Sequence, residues 1–349
     1  MNLNMRFYVI FFMFCMVGCG GCEDEKPLQQ VEIKPEAKQL EVTFQRFDDD
    51  LFTADYTHAD SVTQFLYHKY GPFYCEFIEA DLRLAPCKDP KVGEMLVPFV
   101  TNKDILETRK EVQTIFPEEK IKAFNSELTD ALRRYKHFFP DSLVPKVIYY
   151  QSAWNNNIST TDFTLGIALD CYLGKKNHIT EKLSPEVFPN YKKANMEERY
   201  VVADAVKGWV AYKSRHYYKP KDLLSELIFY GKLMYIAEAL APEIQDSVLM
   251  SWNTKQLNWA IGNEWNVWKT LANEKVMFDT KAFEVNKWFL DGPFTGANGV
   301  PQESPPQLGV WFGWKIVRQY MEANPTLTPQ QLLQESDHQK ILSAYKPKR

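Results

Sequence analysis

A single carboxylate, Glu226, stands among mostly apolar neighbours in LLSELIFYGKLMYIA, residues 223–237. In zinc hydrolases with an HExxH motif, such a Glu activates water while two flanking His hold the metal. Here Ser225 and Phe229 occupy those two positions. Without imidazoles no metal lowers the pKa of a bound water, and Glu226 alone is a weak base. The sequence therefore assigns no catalytic residue and no metal ligand, and leaves Glu226, Ser225 and Phe229 as a candidate residual site.

Glu226 also needs a partner, because an isolated buried carboxylate is costly. Lys232 is six residues on and points to another face of the helix. Lys315 or Arg318, in a later helix, is therefore the expected partner. A structural role is the main interpretation of Glu226, and a binding-site anion or an unusual catalytic base are the alternatives.

The rest of the chain offers few groups for other reactions. No GxSxG motif and no glycine-rich phosphate loop occurs, and the one SxxK pair, Ser343 and Lys346, lies among the final residues. No two His are four positions apart, so the spacing typical of a zinc helix is missing. The sequence therefore predicts no cofactor. The six His are His58, His68, His137, His178, His216 and His338.

The composition is that of a globular protein. The chain has 349 residues, of which 45% are hydrophobic and 25% charged, which is enough for a large core. The formal charge of −4 becomes −5 without residues 1–18, whose only charged side chain is Arg6. No basic stripe is present, so nucleic acid is excluded as a predicted partner.

Residues 1–18 have the features of a secretory signal peptide. Arg6 precedes an apolar stretch, Phe7 to Val17, that is shorter than the roughly 20 residues needed to span a bilayer. At the end of this stretch, Met16-Val17-Gly18-Cys19 resembles a bacterial lipobox, in which a peptidase cuts before a Cys that receives acyl chains such as palmitate. Cys19 is the predicted lipidation site, with Cys22 as the alternative. The lipid would hold the mature protein on a membrane.

Two regions follow the signal. Residues 19–40 are polar, contain Pro27 and Pro35 and have no apolar period, so they are predicted to be a flexible tether. Residues 41–349 contain no internal repeat or low-complexity block, and a single domain is the simplest organisation.

Apolar residues recur at helical spacing through most of that region. Thr328 and Gln331 form a capping box around Pro329, and segment 291–309, with four Gly and four Pro, is predicted to be a loop that lines a groove. Helices are predicted at about 59–70, 118–138, 196–214, 222–240, 254–275, 308–323 and 329–345.

A β-hairpin is predicted in the middle of the chain. Residues 147–150 and 163–169 are rich in β-branched, aromatic and aliphatic types, and the turn-forming run from Asn155 to Asn157 lies between them.

Several smaller features carry expectations of their own. Cys75 and Cys87 are candidates for a disulfide that the sequence does not establish, whereas Cys171, in an apolar segment, is predicted to be a buried thiol. The spacing of Gly309 and Gly313 predicts a close helix contact. Four Trp within one segment indicate core packing, with a sugar-stacking surface as the alternative. They are Trp252, Trp259, Trp265 and Trp268.

Four segments follow one another behind the lipobox: RFDDDLF (46–52), TLGIALDCYLG (164–174), SELIFYGKLMYIAEAL (225–240) and LGVWFGWKIVRQYM (308–321). In this order they resemble the gliding motility lipoprotein B family of Bacteroidetes, over essentially the whole mature chain. That family is in turn similar to zincin-like proteins, in which a strand edge precedes the HExxH helix and a Gly-x-x-x-Gly-aromatic helix follows. On this resemblance, residues 163–170 match the strand edge and Glu226 the general base, while both ligand positions have lost their His.

Together these patterns predict an α+β fold that is predominantly helical, with zincin-like topology and a small β-sheet around residues 147–170. The implied function is a non-catalytic, lipid-anchored lipoprotein of the cell envelope, on its periplasmic face or the outer-membrane surface. It would support gliding motility or associated envelope machinery through contacts with envelope protein partners. One alternative is an unconventional peptidase or other hydrolase using Glu226. Another is a surface glycan- or protein-binding lipoprotein, which the Trp-rich segment and the acidic run at 23–25 indicate.

Overall fold

A computed structural model describes residues 31–348. The signal peptide, Cys19, Cys22 and the acidic run lie outside the described residues, so their assignments stay predictions. The described part is mostly helical and contains one four-stranded sheet. The predicted class, α+β and predominantly helical, is confirmed, whereas the zincin-like topology stays a prediction.

Most helices lie either before strand β2 (Lys146–Tyr150) or after strand β4 (Thr164–Ala168) in the sequence. The earlier ones are α1 (Pro35–Lys38), α2 (Phe47–Thr53), α3 (Ala59–Tyr70), α4 (Pro72–Glu76), α5 (Val92–Val100), α6 (Lys103–Ile115) and α7 (Glu118–Phe138). The later ones are α8 (His178–Lys182), α9 (Asn190–Lys193), α10 (Val201–Ser214), α11 (Leu223–Leu240), α12 (Asp246–Leu249), α13 (Thr254–Gly262), α14 (Glu264–Leu271), α15 (Glu274–Met277), α16 (Ala282–Asn286), α17 (Leu308–Ala323), α18 (Pro329–Gln334) and α19 (His338–Ser343).

The sheet has the strand order β1-β2-β4-β3. Its strands are β1 (Phe44–Arg46), β2 (Lys146–Tyr150), β3 (Ile158–Thr160) and β4 (Thr164–Ala168). β1, β2 and β4 run parallel, and β3 pairs antiparallel with β4 at the edge.

The predicted hairpin between 147–150 and 163–169 is wrong in its pairing. These segments are neighbours, but they are parallel, because the chain first forms the edge strand β3 and then returns as β4 beside β2. Apart from Lys146, every residue of β2 and β4 is buried. Strands without a polar face are typical of parallel pairs covered on both sides.

The strongest helix predictions agree with the structure. The predictions for α3, α7, α11 and α17 match within a residue or two, and the capping box at Thr328 is confirmed. The prediction at 254–275 is wrong in treating one helix where there are three, with the first break at Gly262 and Asn263, residue types common at helix ends. The prediction at 329–345 covers two helices, because Asp337 caps the second by accepting a hydrogen bond from the Lys340 N–H.

The helix α11 lies at the centre of the core. All but three of its 18 residues are buried, which is the pattern of a helix covered on every side. Its most extensive contact is with α17, where Gly231 of α11 meets Gly313. Gly313 therefore makes the predicted close approach, whereas Gly309 lies against Trp288 and Phe289. α11 also packs against α10, and α10 packs against β3 and β4.

Part of the predicted tether, residues 19–40, is packed on the domain. Residues Pro35–Lys38 form a helical turn that buries Ala37 and packs against α7. The Lys34 N–H donates a hydrogen bond to Nδ1 of His137 at 3.1 Å. A domain boundary at residue 41 therefore leaves out a segment that is docked on the domain.

The cysteines of the described region differ in state. Cys75 and Cys87 form a disulfide, which the sequence had left open, and Cys171 is a buried free thiol, as predicted. Burial raises the pKa of Cys171 far above its usual value, so the thiolate that would act as a nucleophile is disfavoured.

None of the helices in residues 31–348 combines the length and the apolar character needed to cross a lipid bilayer.

Candidate functional site

Glu226 lies in the first turn of α11 and is only 9% exposed. Burial raises the pKa of its carboxyl, and a hydrogen bond with the Tyr218 hydroxyl opposes this effect. The same neighbourhood raises the pKa of Tyr218 to about 12, through burial and the charge of Glu226. The partner of Glu226 is therefore a phenol that precedes α11.

The expectation that Lys315 or Arg318 pairs with Glu226 is wrong. Lys315 lies 3.7 Å from Glu264, and Arg318 binds Glu238 and Asp246 at 2.7 and 2.8 Å. Gly231 touches Gly313 and Arg318 contacts Glu238, so Arg318 lies beside the C-terminal half of α11. Glu238 is twelve residues after Glu226, which is about 18 Å along a helix. Glu238, and not Glu226, therefore forms the salt bridge with Arg318.

Ser225 is part of the N-terminal cap of α11. Its N–H donates to the Asp222 side chain at 2.8 Å, and its Oγ accepts from the Asp222 N–H at 2.9 Å. This reciprocal pair is a capping box, which satisfies backbone donors that the first turn leaves free. The position that carries a His in HExxH here holds the helix start together.

Phe229 is a packing residue. Its ring centroid lies 4.9 Å from that of Tyr218 and 5.7 Å from that of Tyr230. The structure thus brings Glu226, Ser225 and Phe229 together on one helix turn. Glu226 forms a hydrogen bond with a phenol, Ser225 caps the helix, and Phe229 packs against aromatic rings.

The Trp-rich segment is mainly part of the core. Trp252 is 1% exposed and its ring lies 6.4 Å from that of Trp311. Trp268 packs edge-on against Tyr345 at 4.8 Å, and Trp259 and Trp268 are both partly buried against the core. This is the packing role that the sequence favoured for these residues.

A second group of polar residues surrounds a cavity of about 430 Å³ between α10 and the loops that follow β2 and α12. Both ends of the long loop 291–309 reach it, through Asp291 and Gln307. The loop therefore lines a groove, as predicted. We call this volume the polar cavity, and its principal lining residues are Trp154, Asn157, Tyr172, Phe188, Lys192, Asn195, Asp204, Lys207, Ser251, Asp291 and Gln307.

Asp204 is the centre of a hydrogen-bond network in the polar cavity. Its Oδ2 accepts from the Tyr172 hydroxyl at 3.1 Å and from Nδ2 of Asn157 at 3.2 Å. Its Oδ1 lies 3.0 Å from Nζ of Lys207, and that Nζ donates to Oγ of Ser251 at 3.0 Å. Four separate segments of the chain are joined through this carboxylate.

This network suits binding better than nucleophilic catalysis. A Ser acts as a nucleophile when an adjacent base accepts its proton. Lys207 forms a salt bridge with Asp204 and donates to Ser251. An ammonium group in this state has no lone pair to take the Ser251 proton.

The backbone around the polar cavity is unusual. Five residues other than Gly in the described region have positive φ, and three of them line the cavity: Trp154, Ser251 and Gln307, at 60°, 55° and 58°. Such conformations cost free energy and concentrate at functional sites. The buried carboxylate of Asp170 holds the loop at Trp154, because it accepts the Ser152 and Trp154 N–H groups at 3.1 and 3.0 Å.

Sequence reasoning missed the polar cavity because its residues are far apart in the chain. Asp204 and Lys207 are three positions apart on one helix, a spacing also common in solvated salt bridges. The one local signal is the polar run from Asn155 to Asn157, which was interpreted only as a turn.

The chain matches a family of known proteins. Residues 29–347 match the model of the family described as gliding motility protein GldB, and the label of that model designates a lipoprotein. Neither the curated proteins nor the solved structures contain a match to the chain. The family match covers nearly the whole sequence, and it agrees with the resemblance carried by the four motifs. The chain therefore belongs to the gliding motility protein GldB family.

Proposed function

We propose that this lipoprotein supports gliding motility, or envelope machinery associated with it, through contacts with other envelope proteins and without catalysis of its own. The observation that carries the proposal is the family match across residues 29–347. The local structure at α11 supports the non-catalytic part, because Ser225 is used in the helix cap and Phe229 in aromatic packing.

The proposed anchor is a lipid on Cys19 that keeps the domain at the membrane of the envelope. The lipobox pattern supports this assignment, and the polar segment before α1 would give the domain reach from the surface. Replacement of Cys19 by Ala is expected to move the protein from the membrane fraction to the soluble fraction. If Cys22→Ala has this effect and Cys19→Ala does not, the acceptor is Cys22.

Exposed apolar side chains near α16 support the proposed protein contacts. Phe283 is 73% exposed and Leu290 is 61% exposed, seven residues apart in the chain. Large apolar side chains that stay exposed are candidate contact residues for a partner protein. Val187, 58% exposed on a different segment, provides a matched control.

A deletion and complementation experiment tests the proposal. Loss of the gene is expected to abolish gliding in a gliding host, or secretion by the associated machinery, and the wild-type chain should restore it. Phe283→Ser with Leu290→Ser should complement poorly, whereas Val187→Ser should complement fully. An intact apparatus after clean deletion would refute the proposed role.

A hydrolase that uses Glu226 is the second candidate function, and the raised pKa of that carboxyl is the observation in its favour. Glu226→Gln separates the two functions. Complementation by this variant at the wild-type level supports the non-catalytic role. Loss of a peptidase activity measured on the purified chain would establish the hydrolase instead.

A further inference from the structure

We propose that the polar cavity is a binding site for an uncharged, hydroxyl-rich ligand of the saccharide class, one or two sugar units in size. The volume of about 430 Å³ lies in the range of small-molecule sites. The inference does not depend on the gliding role, because it concerns binding to the purified protein.

The charges of the cavity favour a neutral ligand. Asp204 and Lys207 compensate each other at 3.0 Å. Asp291 and Lys192, which also line the cavity, carry opposite charges. The lining therefore has no excess of either sign with which to hold a phosphate, a carboxylate or an ammonium group.

Unused hydrogen-bonding groups are nevertheless present. The Lys207 ammonium group donates one N–H to Asp204 and one to Ser251, so its third N–H is free to donate to a ligand. The Ser251 hydroxyl accepts from Lys207 and can still donate its own proton. The side-chain amides of Asn195 and Gln307 line the volume without a hydrogen bond to any other described residue. Hydroxyls and amides both donate and accept, which matches the groups around a sugar ring.

Aromatic side chains add apolar contact area to this polar lining. Trp154 and Phe188 are both partly buried and line the cavity. An aromatic side chain beside several amides and hydroxyls fits a ring that has apolar C–H groups and polar edges. A peptide fits less well, because its donors and acceptors are spaced along an extended chain, whereas these groups converge from separate segments on one volume.

The site is also held in place before a ligand arrives. Asp170 fixes the loop of Trp154 through two backbone N–H groups, and the strained conformations at Ser251 and Gln307 are maintained by the surrounding fold. A preformed site loses less conformational entropy on binding.

Isothermal titration calorimetry on the full chain in detergent tests the inference. The ligands are maltose, cellobiose, mannobiose and N,N′-diacetylchitobiose, with trialanine and inorganic phosphate as probes for other classes. At least one disaccharide should bind with a Kd of about 1 mM or below. Asn195→Ala and Ser251→Ala should each weaken that binding about tenfold, as expected for loss of a hydrogen bond.

The matched control is Asn298→Ala, which removes an amide from a different pocket and should keep the wild-type affinity. Thermal unfolding verifies that each variant is folded, and Asn195→Trp, which fills the volume, should abolish binding if the smaller changes are weak. The inference is overturned if no disaccharide binds at about 20 mM, if trialanine or phosphate binds in the cavity instead, or if sugar binding is equal in the cavity variants and the control.

Discussion

Gly231 and Gly313 face each other where α11 crosses α17, so closely that a Cβ on Gly231 would overlap the carbonyl oxygen of Gly313. The obstructing atoms belong to the backbone and cannot rotate away. Gly313→Ala is therefore expected to lower the free energy of unfolding by about 3 kcal/mol, measured by urea denaturation. Gly262→Ala is the control, because a Cβ there meets no atom within 4 Å and should change stability by at most about 1 kcal/mol.

Glu238→Ala tests the buried charge cluster between the same helices. Glu238 is 4% exposed and accepts hydrogen bonds from Arg318 at 2.7 Å and from the Trp314 indole at 2.8 Å. Its removal leaves the guanidinium partly buried beside a single carboxylate, Asp246, and should cost about 3 to 5 kcal/mol. Asp162→Ala breaks an exposed pair with Arg215 and should cost less than about 1 kcal/mol. Equal losses in the two variants would contradict this account.

Asp170 should make the stability of the protein depend on pH. Burial raises the pKa of its carboxyl to about 7, although hydrogen bonds from three backbone N–H groups favour the charged form. Between the unfolded pKa of about 4 and that value, the folded state binds more protons than the unfolded state. The contribution of Asp170 to the free energy of unfolding should therefore fall as the pH rises from about 4 to about 7.

The variant Asp170→Asn provides the comparison. It should be less stable overall, since an amide oxygen cannot replace both acceptors of the Trp154 loop, and its stability should fall less steeply over the same pH range. Asp81, whose pKa burial raises to about 6, acts in the same direction and remains in both proteins. Identical pH slopes for the two proteins would show that Asp170 is not responsible.

Ser225→Ala examines the cap at the start of α11. Loss of the capping hydroxyl should lower the free energy of unfolding by about 1 kcal/mol. Ser343→Ala, which removes an exposed hydroxyl bonded to the Lys340 carbonyl, serves as the control and should have little effect in thermal unfolding. If Ser225→Ala is as stable as the wild type, the Ser225 hydroxyl does not stabilise the start of α11.

The sequence predicted correctly those elements whose structure depends on residues close together in the chain. The bounds of α17 and the cap formed by Thr328 and Gln331 depend on neighbours in the chain, and both agree with the structure. The pairing of β2 with β4 depends on where β3 inserts, and the composition of the strands does not encode that choice.

The sites were harder to predict for the same reason. Lys315 or Arg318 was expected to pair with Glu226, but the way the two helices pack places Arg318 beside Glu238 instead. Asp204 and Ser251 become neighbours of Lys207 only after α10 and the segment following α12 have packed together.

The burial of α11 has a consequence for the order of folding. This helix is apolar on nearly every face, and its most extensive contact is with α17, which begins 68 residues after α11 ends. During synthesis or export, residues 223–240 emerge long before α17, the helix that makes the most extensive contact with them. Contacts between segments far apart in the chain also form slowly. A chain truncated before residue 308 would display an uncovered apolar helix and is expected to aggregate, because exposed hydrophobic surface makes incompletely folded chains associate.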